Sequence, residues 1–349
     1  MIVDAHLDLA YNALNCGRDL SLPLAALRGR ENPNPIRGRA TVTFPALREG
    51  GVGLIFGTIF VSPADGYMMD DGVETAVYHN ADEAYAQGME QLDYYYRMVE
   101  AHDDLHLVTS TAELEYAIAH QKTGIVILME GADPIRTPDE LVAWHERGLR
   151  VVGLAWDDTR YSAGSWQNGN SGLTADGRAL LKQMAAHRTI LDLTHMSEQA
   201  TLEALDLYDG TIVATHSNSR ALLGNKERHL SDLQIRRIGE RGGVIGTVLY
   251  NRFLSRDYKK GDLKTAVTLN HVFAHIDHVC QLLGDAAHVG IGSDFDGGFG
   301  ADAIPAELDS AADLGKIGAK LKERGYSDAD VVGIMGDNWV NLLRRAWNS

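Results

Sequence analysis

Six ionisable side chains stand where apolar, β-branched runs end. The first run closes on His6-Leu7-Asp8, the third on Glu130, the fifth on His195, the sixth on His216 and the eighth on Asp294. Residues i and i+2 of a strand point to the same side, so His6 and Asp8 can enter one site together. Any one of these could be an accidental polar strand end. For all six the better account is a common ligand, because unpaired ionisable groups are costly to bury. Imidazole with carboxylate suits zinc or a similar divalent ion. Enough ligand types are present for a pair of ions about 3.5–4 Å apart that bridge and deprotonate a water. Nucleophilic catalysis by Ser or Cys has no support. Neither Cys16 nor Cys280 ends a strand, and no G-x-S-x-G elbow occurs.

These positions imply a particular scaffold. Candidate strands cover Ile2–Asp8, Val52–Phe60, Gly124–Met129, Arg150–Trp156, Thr189–His195, Thr211–His216, Gly243–Leu249 and His288–Asp294. Between them lie helical patterns at Asn80–His102, Thr111–His120, Pro138–Arg147, Thr174–His187, Ser197–Leu207, Ser231–Gly242 and Asn270–Leu283. Strands alternating with helices predict parallel βαβ units, and eight strands close a (β/α)8 TIM barrel, whose chemistry gathers at the C-terminal strand ends. An open two-layer sheet is the rival, weakened because no Gly-rich phosphate loop follows the first strand. Thr137, Ser197 and Ser231 offer helix N-caps, and Gly148, Gly210 and Gly284 mark helix ends. Ser327–Trp347 predicts one or two helices closing the barrel, a C-terminal helical extension within a single domain over 1–349.

Three features compete for attention. His271, His275 and His278 share one face of a predicted helix, but HVFAH lacks the glutamate of a zinc-protease helix, so packing is the better account. Tyr94, Tyr95 and Tyr96 read likewise as helix packing. Gly290 and Gly292 precede the acidic DFDGG loop, which disfavours phosphate binding there.

The 349 residues include 48 acidic and 32 basic side chains, a net charge of −16. That charge argues against nucleic acid or an anionic membrane as partner. Two distant cysteines exclude a disulfide framework but leave a single bridge open, and they suit a reducing compartment. The longest strongly apolar stretch, Gly50–Val61, is broken by glycines and far shorter than the roughly 20 residues of a membrane span. The start, MIVDAH, has no basic or apolar leader pattern. The expectation is a cytoplasmic protein with a small-molecule partner; a homodimer remains open.

The stretches VDAHLDL, MEGAD, GLTADG, LDLTHMS, ATHSNSRAL, RGGVIG, VGIGSDFDGG and DNWVNLLR span almost the whole chain. In that order they resemble the membrane (renal) dipeptidase family of zinc metallopeptidases, within the amidohydrolase superfamily. The resemblance implies a (β/α)8 barrel with two zinc ions. It implies His6, Asp8 and Glu130 as ligands of one ion and Glu130, His195 and His216 as ligands of the other, with Glu130 bridging. Asp294 would transfer the proton, with Asp296 as the alternative in SDFDG. Arg228, in KERHL, resembles the arginine that holds the substrate carboxylate, and Tyr250 would line the same pocket. The chain departs from the family after strand four: where L-T-H is frequent, it has Leu154-Ala155-Trp156. A substrate-contacting His is thus replaced by Trp156, and the following loop carries Asp157, Asp158, Arg160, Trp166 and Gln167.

The resulting expectation is a two-zinc hydrolase of dipeptides or similar small N-acyl amino acids. Bridging hydroxide would attack the amide carbonyl, one zinc would polarise it, and Asp294 would pass the proton to the leaving amine. The alternatives are a deaminase or phosphoester hydrolase on a related barrel, which would not need Arg228 as a carboxylate anchor, and a non-enzymatic metal-stabilised scaffold, which would not need a complete ligand set.

Overall fold

Eight of the apolar runs become parallel strands hydrogen-bonded in sequence order: β1 (Ile2–Leu7), β2 (Val52–Phe60), β3 (Thr123–Glu130), β4 (Leu149–Gly153), β5 (Ile190–Asp192), β6 (Ile212–Ala214), β7 (Val244–Thr247) and β8 (Val289–Ile291). The computed structural model describes residues 1–31, 37–64, 77–166, 171–224 and 226–348. The ring closes between β8 and β1 through side chains as much as backbone. The Asp294 N–H donates to the His6 carbonyl at 3.3 Å. The Asp4 carboxylate accepts the Ser293 N–H at 2.8 Å and its hydroxyl at 2.5 Å. The fold is a nearly closed (β/α)8 barrel with C-terminal helices, as the alternating pattern requires. A short extra strand, Leu105–Leu107, pairs with the start of β3, before β4 joins it.

Two apolar layers hold this arrangement. Val3, Ala5, Phe56, Val126, Leu128, Val151, Ile190, Val213 and Val244 fill the barrel interior. A larger cluster, including Ile55, Ile127, Leu191 and Ile245, packs the outer strand faces on the helices. The C-terminal extension forms helices at Asp328–Val332, Gly333–Asp337 and Asn338–Asn348. It drives Trp339 into the interior cluster, where the indole N–H donates to the Ile291 carbonyl at 3.2 Å. This explains Gly290, since a Cβ there would lie 2.2 Å from the Trp339 indole nitrogen. Gly292 similarly lets the backbone approach the Thr215 carbonyl. These glycines serve packing, not phosphate.

Six strands, all but β2 and β3, end earlier than their apolar runs suggest. β5, β6 and β8 stop before His195, His216 and Asp294, because side chains take over the hydrogen bonding. The Asp192 carboxylate accepts the N–H groups of Thr194 (3.0 Å) and Thr215 (2.9 Å). β1 carries a register irregularity between Asp4 and Leu7. Val3 and Ala5 face the interior, Leu7 faces the outer layer, and His6 nonetheless turns to Asp8, Glu130 and Asp294 at the strand ends, so the alternation shifts by one at this bulge.

Ser197 and Ser231 cap their helices as expected, Ser231 in a full capping box with Gln234. Thr137 does not: its side chain makes no cap bond, and Pro138–Glu140 is a single 3-10 turn before Leu141–Glu146. Gly284 ends its helix in the left-handed conformation. The Gly210 helix has already left helical geometry at Tyr208. Cys16 and Cys280 are not bridged. Among the described residues no helix is long and apolar enough to cross a membrane.

Candidate metal centre

The barrel mouth brings together side chains from five strand ends. His6 lies at the centre: its Nε2 is 3.8 Å from Asp8 Oδ1, 3.7 Å from Glu130 Oε2 and 3.9 Å from Asp294 Oδ1. The other oxygen of Glu130, Oε1, is 3.0 Å from His195 Nε2 and 3.2 Å from His216 Nε2. One carboxylate therefore faces His6 on one side and a pair of imidazoles on the other. All six residues are buried. His6 Nε2, Asp8 Oδ1 and Glu130 Oε1 have no hydrogen-bond partner among the described residues. Donor atoms of His6, Glu130 and His216 converge within 4.8 Å, as do those of His6, Asp8 and Asp294. Hard and borderline donors gathered without partners are the chemistry of a divalent-cation site.

The electrostatics agree. Burial raises Glu130 well above the carboxylate range and pushes Asp294 up to about 8. Burial alone would lower His6, but the carboxylates of Glu130, Asp8 and Asp294 outweigh it and raise His6 to about 10. Burial holds His195 and His216 well below the usual imidazole range, so both are neutral and available as ligands.

Supporting contacts fix these side chains. Asp192 holds the Thr215 hydroxyl at 2.5 Å, and that oxygen lies 3.0 Å from His216 Nδ1, leaving Nε2 to face Glu130. His195, Asp294 and Asp296 all have positive φ, between 59° and 66°. Such strain persists only where surrounding contacts enforce it. One of those contacts is the Gly297 N–H, which donates to the Asp294 carbonyl at 2.9 Å, and a Cβ at Gly297 would meet Asp294 Oδ1 at 1.9 Å.

Above the cluster lies a cavity of roughly 540 Å³, part of it open to solvent. Arg228, Tyr250 and Trp156 line it. The Arg228 guanidinium donates to the His216 carbonyl at 3.0 Å and lies 5.1 Å above the Phe253 ring. Burial lowers it to about 10, which leaves it charged at neutral pH. Tyr250 stacks on Phe299 at 4.3 Å. Trp156 packs edge-on against Phe60, its ring 6.1 Å from His195. Trp166 joins them 5.7 Å from His195, because the Ser165 N–H donates to the His195 carbonyl at 2.8 Å.

Other assignments change. Arg160, carried by the loop after strand four, is engaged away from the cavity: it pairs with Asp133 at 3.1 Å and donates to the Arg136 carbonyl. Gln167 lies outside the described residues. Asp296 borders the cavity, but Thr41, Val42 and Arg18 occupy its oxygens. Sequence reasoning missed Tyr11, Arg37, Phe60 and Phe253, which also line the cavity. Tyr11 had a weak signal, one helical turn after Asp8. Arg37 had none, being one of four arginines in a polar segment.

The three helix histidines have separate partners. His271 Nδ1 accepts the Thr268 N–H, and His278 meets Asp232 at 2.8 Å. Buried His275 accepts the Ser219 N–H at Nδ1 and reaches the Leu254 carbonyl through Nε2 at 3.2 Å. His275→Gln should leave metal content and turnover nearly unchanged while costing about 1–3 kcal/mol of stability. Elemental analysis with thermal unfolding checks this, and loss of a bound metal would contradict it. Tyr95 and Tyr96 donate to the Thr58 and Arg147 carbonyls, which are packing contacts.

The family described as membrane dipeptidase (peptidase family M19) matches residues 1–348. A Klebsiella pneumoniae protein, described as an uncharacterized protein in the pqqA 5′ region, is 32% identical over 252 residues, 70% of this chain and 89% of its own. The solved structure of dipeptidase AC, a metallopeptidase of family M19, superposes with a TM-score of 0.84 at 27% identity, covering 100% of this chain and 99% of the other. A Rhodobacter sphaeroides metallopeptidase, solved with a phosphinate mimic of the dipeptide L-Ala-D-Ala, gives 0.84 at 25% identity, with 99% of each chain covered.

Proposed function

The chain belongs to the membrane dipeptidase family, peptidase family M19, and on that premise we propose that it is a two-zinc dipeptidase. Its substrates would be dipeptides or similar small N-acyl amino acids. The observation that carries the two-ion reading is the Glu130 carboxylate, which turns Oε2 to His6 and Oε1 to His195 and His216. His6, Asp8 and Glu130 would hold one ion and Glu130, His195 and His216 the other. When bound, such a pair acidifies a shared water and polarises the scissile carbonyl.

The chain's own residues would do the rest. Arg228, buried and charged, is suited to a substrate carboxylate and would fix the C-terminal end. Tyr250 closes that side of the cavity. Asp294, beside His6, would take the proton from the attacking water and return it to the leaving amine. A deaminase or phosphoester substrate would give Arg228 no carboxylate to hold. The test is elemental analysis of protein purified without chelator, which should approach two divalent ions per chain. One or fewer, not raised by added zinc, would overturn the bridging role of Glu130.

Trp156 should set the substrate. A His at this position could donate to a developing oxyanion, and losing such a donor costs on the order of 3 kcal/mol. Trp offers only an indole N–H on a larger apolar ring, and here the ring fills space beside His195. Trp156→His should shift activity towards dipeptides with a C-terminal D-residue, by about 10²-fold in relative kcat/KM. The check is a library of L,L, L,D and N-acyl substrates; an unchanged ranking would show that Trp156 does not face substrate.

A further inference from the structure

A single buried amide joins the two chain segments that carry Asp8 and Asp294. Asn12 lies one turn into the helix Leu9–Asn15, which follows β1, and is 2% exposed. Its Nδ2 donates to two backbone carbonyls, that of Asp8 at 2.9 Å and that of Asp296 at 3.1 Å. Its Oδ1 accepts from Arg18 Nη1 at 2.9 Å. A guanidinium can only donate, so Arg18 fixes which way the amide is turned. Arg18 is itself buried and anchored: Nη2 donates to the Gly38 carbonyl at 2.7 Å, Nε donates to Glu31 at 2.9 Å, and Asp296 Oδ1 lies 3.3 Å away.

Regular structure holds neither segment where the amide meets it. Asp8 stands at the helix N-cap, but its side chain makes no capping bond and faces His6 instead. β8 has ended at Ile291, and Asp294 and Asp296 both have positive φ, a conformation that persists only under outside contacts. Asp4 and Ser293 tie β1 to β8 earlier along the strands. Asn12 spans the same seam further on, beside the carboxylates whose oxygens converge with His6 within 4.8 Å. We propose that Asn12 is a positioning residue: its amide sets the spacing of Asp8 and Asp294, and with it the fit of the zinc that His6, Asp8 and Glu130 would hold. A misplacement of about 1 Å at such a site costs on the order of 10²-fold in rate.

This inference rests on the two-zinc dipeptidase reading. Zinc is titrated by calorimetry into the metal-free full chain, and kcat and KM are measured on zinc-loaded protein with L-Ala-L-Ala and L-Ala-D-Ala. Asn12→Ala and the similar-sized Asn12→Leu both lose the donor. Each should weaken one zinc by about 10–100-fold and leave the other near its wild-type affinity. kcat should fall by about 10–10²-fold, while KM, set from the Arg228 side, changes by less than about threefold. Asn338→Ala is the control. At the opposite end of β8 its Nδ2 also donates to two carbonyls, Ala286 at 2.7 Å and Val289 at 2.8 Å. It should lower the unfolding temperature comparably and move neither zinc affinity nor kcat. Zinc affinity unchanged in either Asn12 variant, or the same losses in Asn338→Ala, would overturn the proposal. If neither Asn12 variant folds, Arg18→Lys decides, because it keeps the charge but loosens the amide: one weakened zinc supports the proposal, and unchanged affinities overturn it. If zinc-loaded wild type cleaves neither peptide, the dipeptidase reading fails, and the zinc titration alone decides the role of Asn12. Wild type that binds no zinc overturns that role as well.

Discussion

Replacing Glu130 by Gln is expected to lower kcat/KM on the order of 10³-fold, about 4 kcal/mol. Metal content should fall from two equivalents to one or fewer. Gln keeps the shape but exchanges one oxygen for an NH2 donor. Glu130 Oε1 lies 3.0 and 3.2 Å from two imidazole nitrogens and Oε2 lies 3.7 Å from a third. Whichever way the amide is turned, one side presents hydrogens where a cation would sit, and the shared negative charge is gone. Without metal the sign of the stability effect reverses. Glu130 is buried beside Asp8 and Asp294, and a neutral amide avoids the cost of desolvating a charge there. The metal-free variant should therefore unfold at the same temperature as metal-free wild type, or higher. Wild type should gain about 2.7 kcal/mol from metal at a hundred times its Kd, and the variant far less. Calorimetry with and without zinc separates this pattern from misfolding. Full metal content with near-native turnover would sink the bridging assignment.

The barrel and the convergence of polar side chains at its mouth were legible because they obey local rules. Apolar β-branched runs alternating with capped amphipathic helices leave few topologies open, and polar residues ending such runs mark the functional rim. What stayed hidden depends on long-range contacts. The bulge in β1 that aims His6 at the mouth depends on the partner strand β2. The early ends of β5 and β6 depend on one buried carboxylate, Asp192, competing for backbone N–H groups. Arg160 sat at a promising position after strand four, yet Asp133, from the loop after β3, captures it. Arg37 lies in a polar segment without a site signal, yet it lines the cavity, where its Nη2 donates to the Tyr11 hydroxyl. In each case the deciding partner is distant in sequence, and side-chain type alone could not name it.

The SDFDG motif offers two carboxylates, and their surroundings assign them different tasks. Asp296 is saturated: its oxygens accept the Thr41 N–H at 2.8 Å, the Thr41 hydroxyl at 2.7 Å and the Val42 N–H at 3.1 Å, with Arg18 at 3.3 Å. Those bonds tie the strand-eight loop to the segment before β2, so Asp296 positions the loop. Asp294 faces His6 across 3.9 Å and lines the cavity, with Gly297 leaving room for its carboxylate. Asp294→Asn should cut kcat by about 10²–10⁴-fold, the usual worth of a positioned proton-transfer group, with KM changed far less. Asn retains the size and a hydrogen-bonding oxygen but cannot accept a proton, so metal content should stay at two. Asp296→Asn should act the other way round: it loses charge-assisted bonds worth about 1.5–3 kcal/mol each, so unfolding temperature falls while the folded fraction retains much of its turnover. Measuring kcat, KM, metal content and thermal unfolding on both variants separates the roles. If Asp294→Asn instead releases a metal ion, Asp294 is a ligand, and the proton must be carried by another group at the barrel mouth.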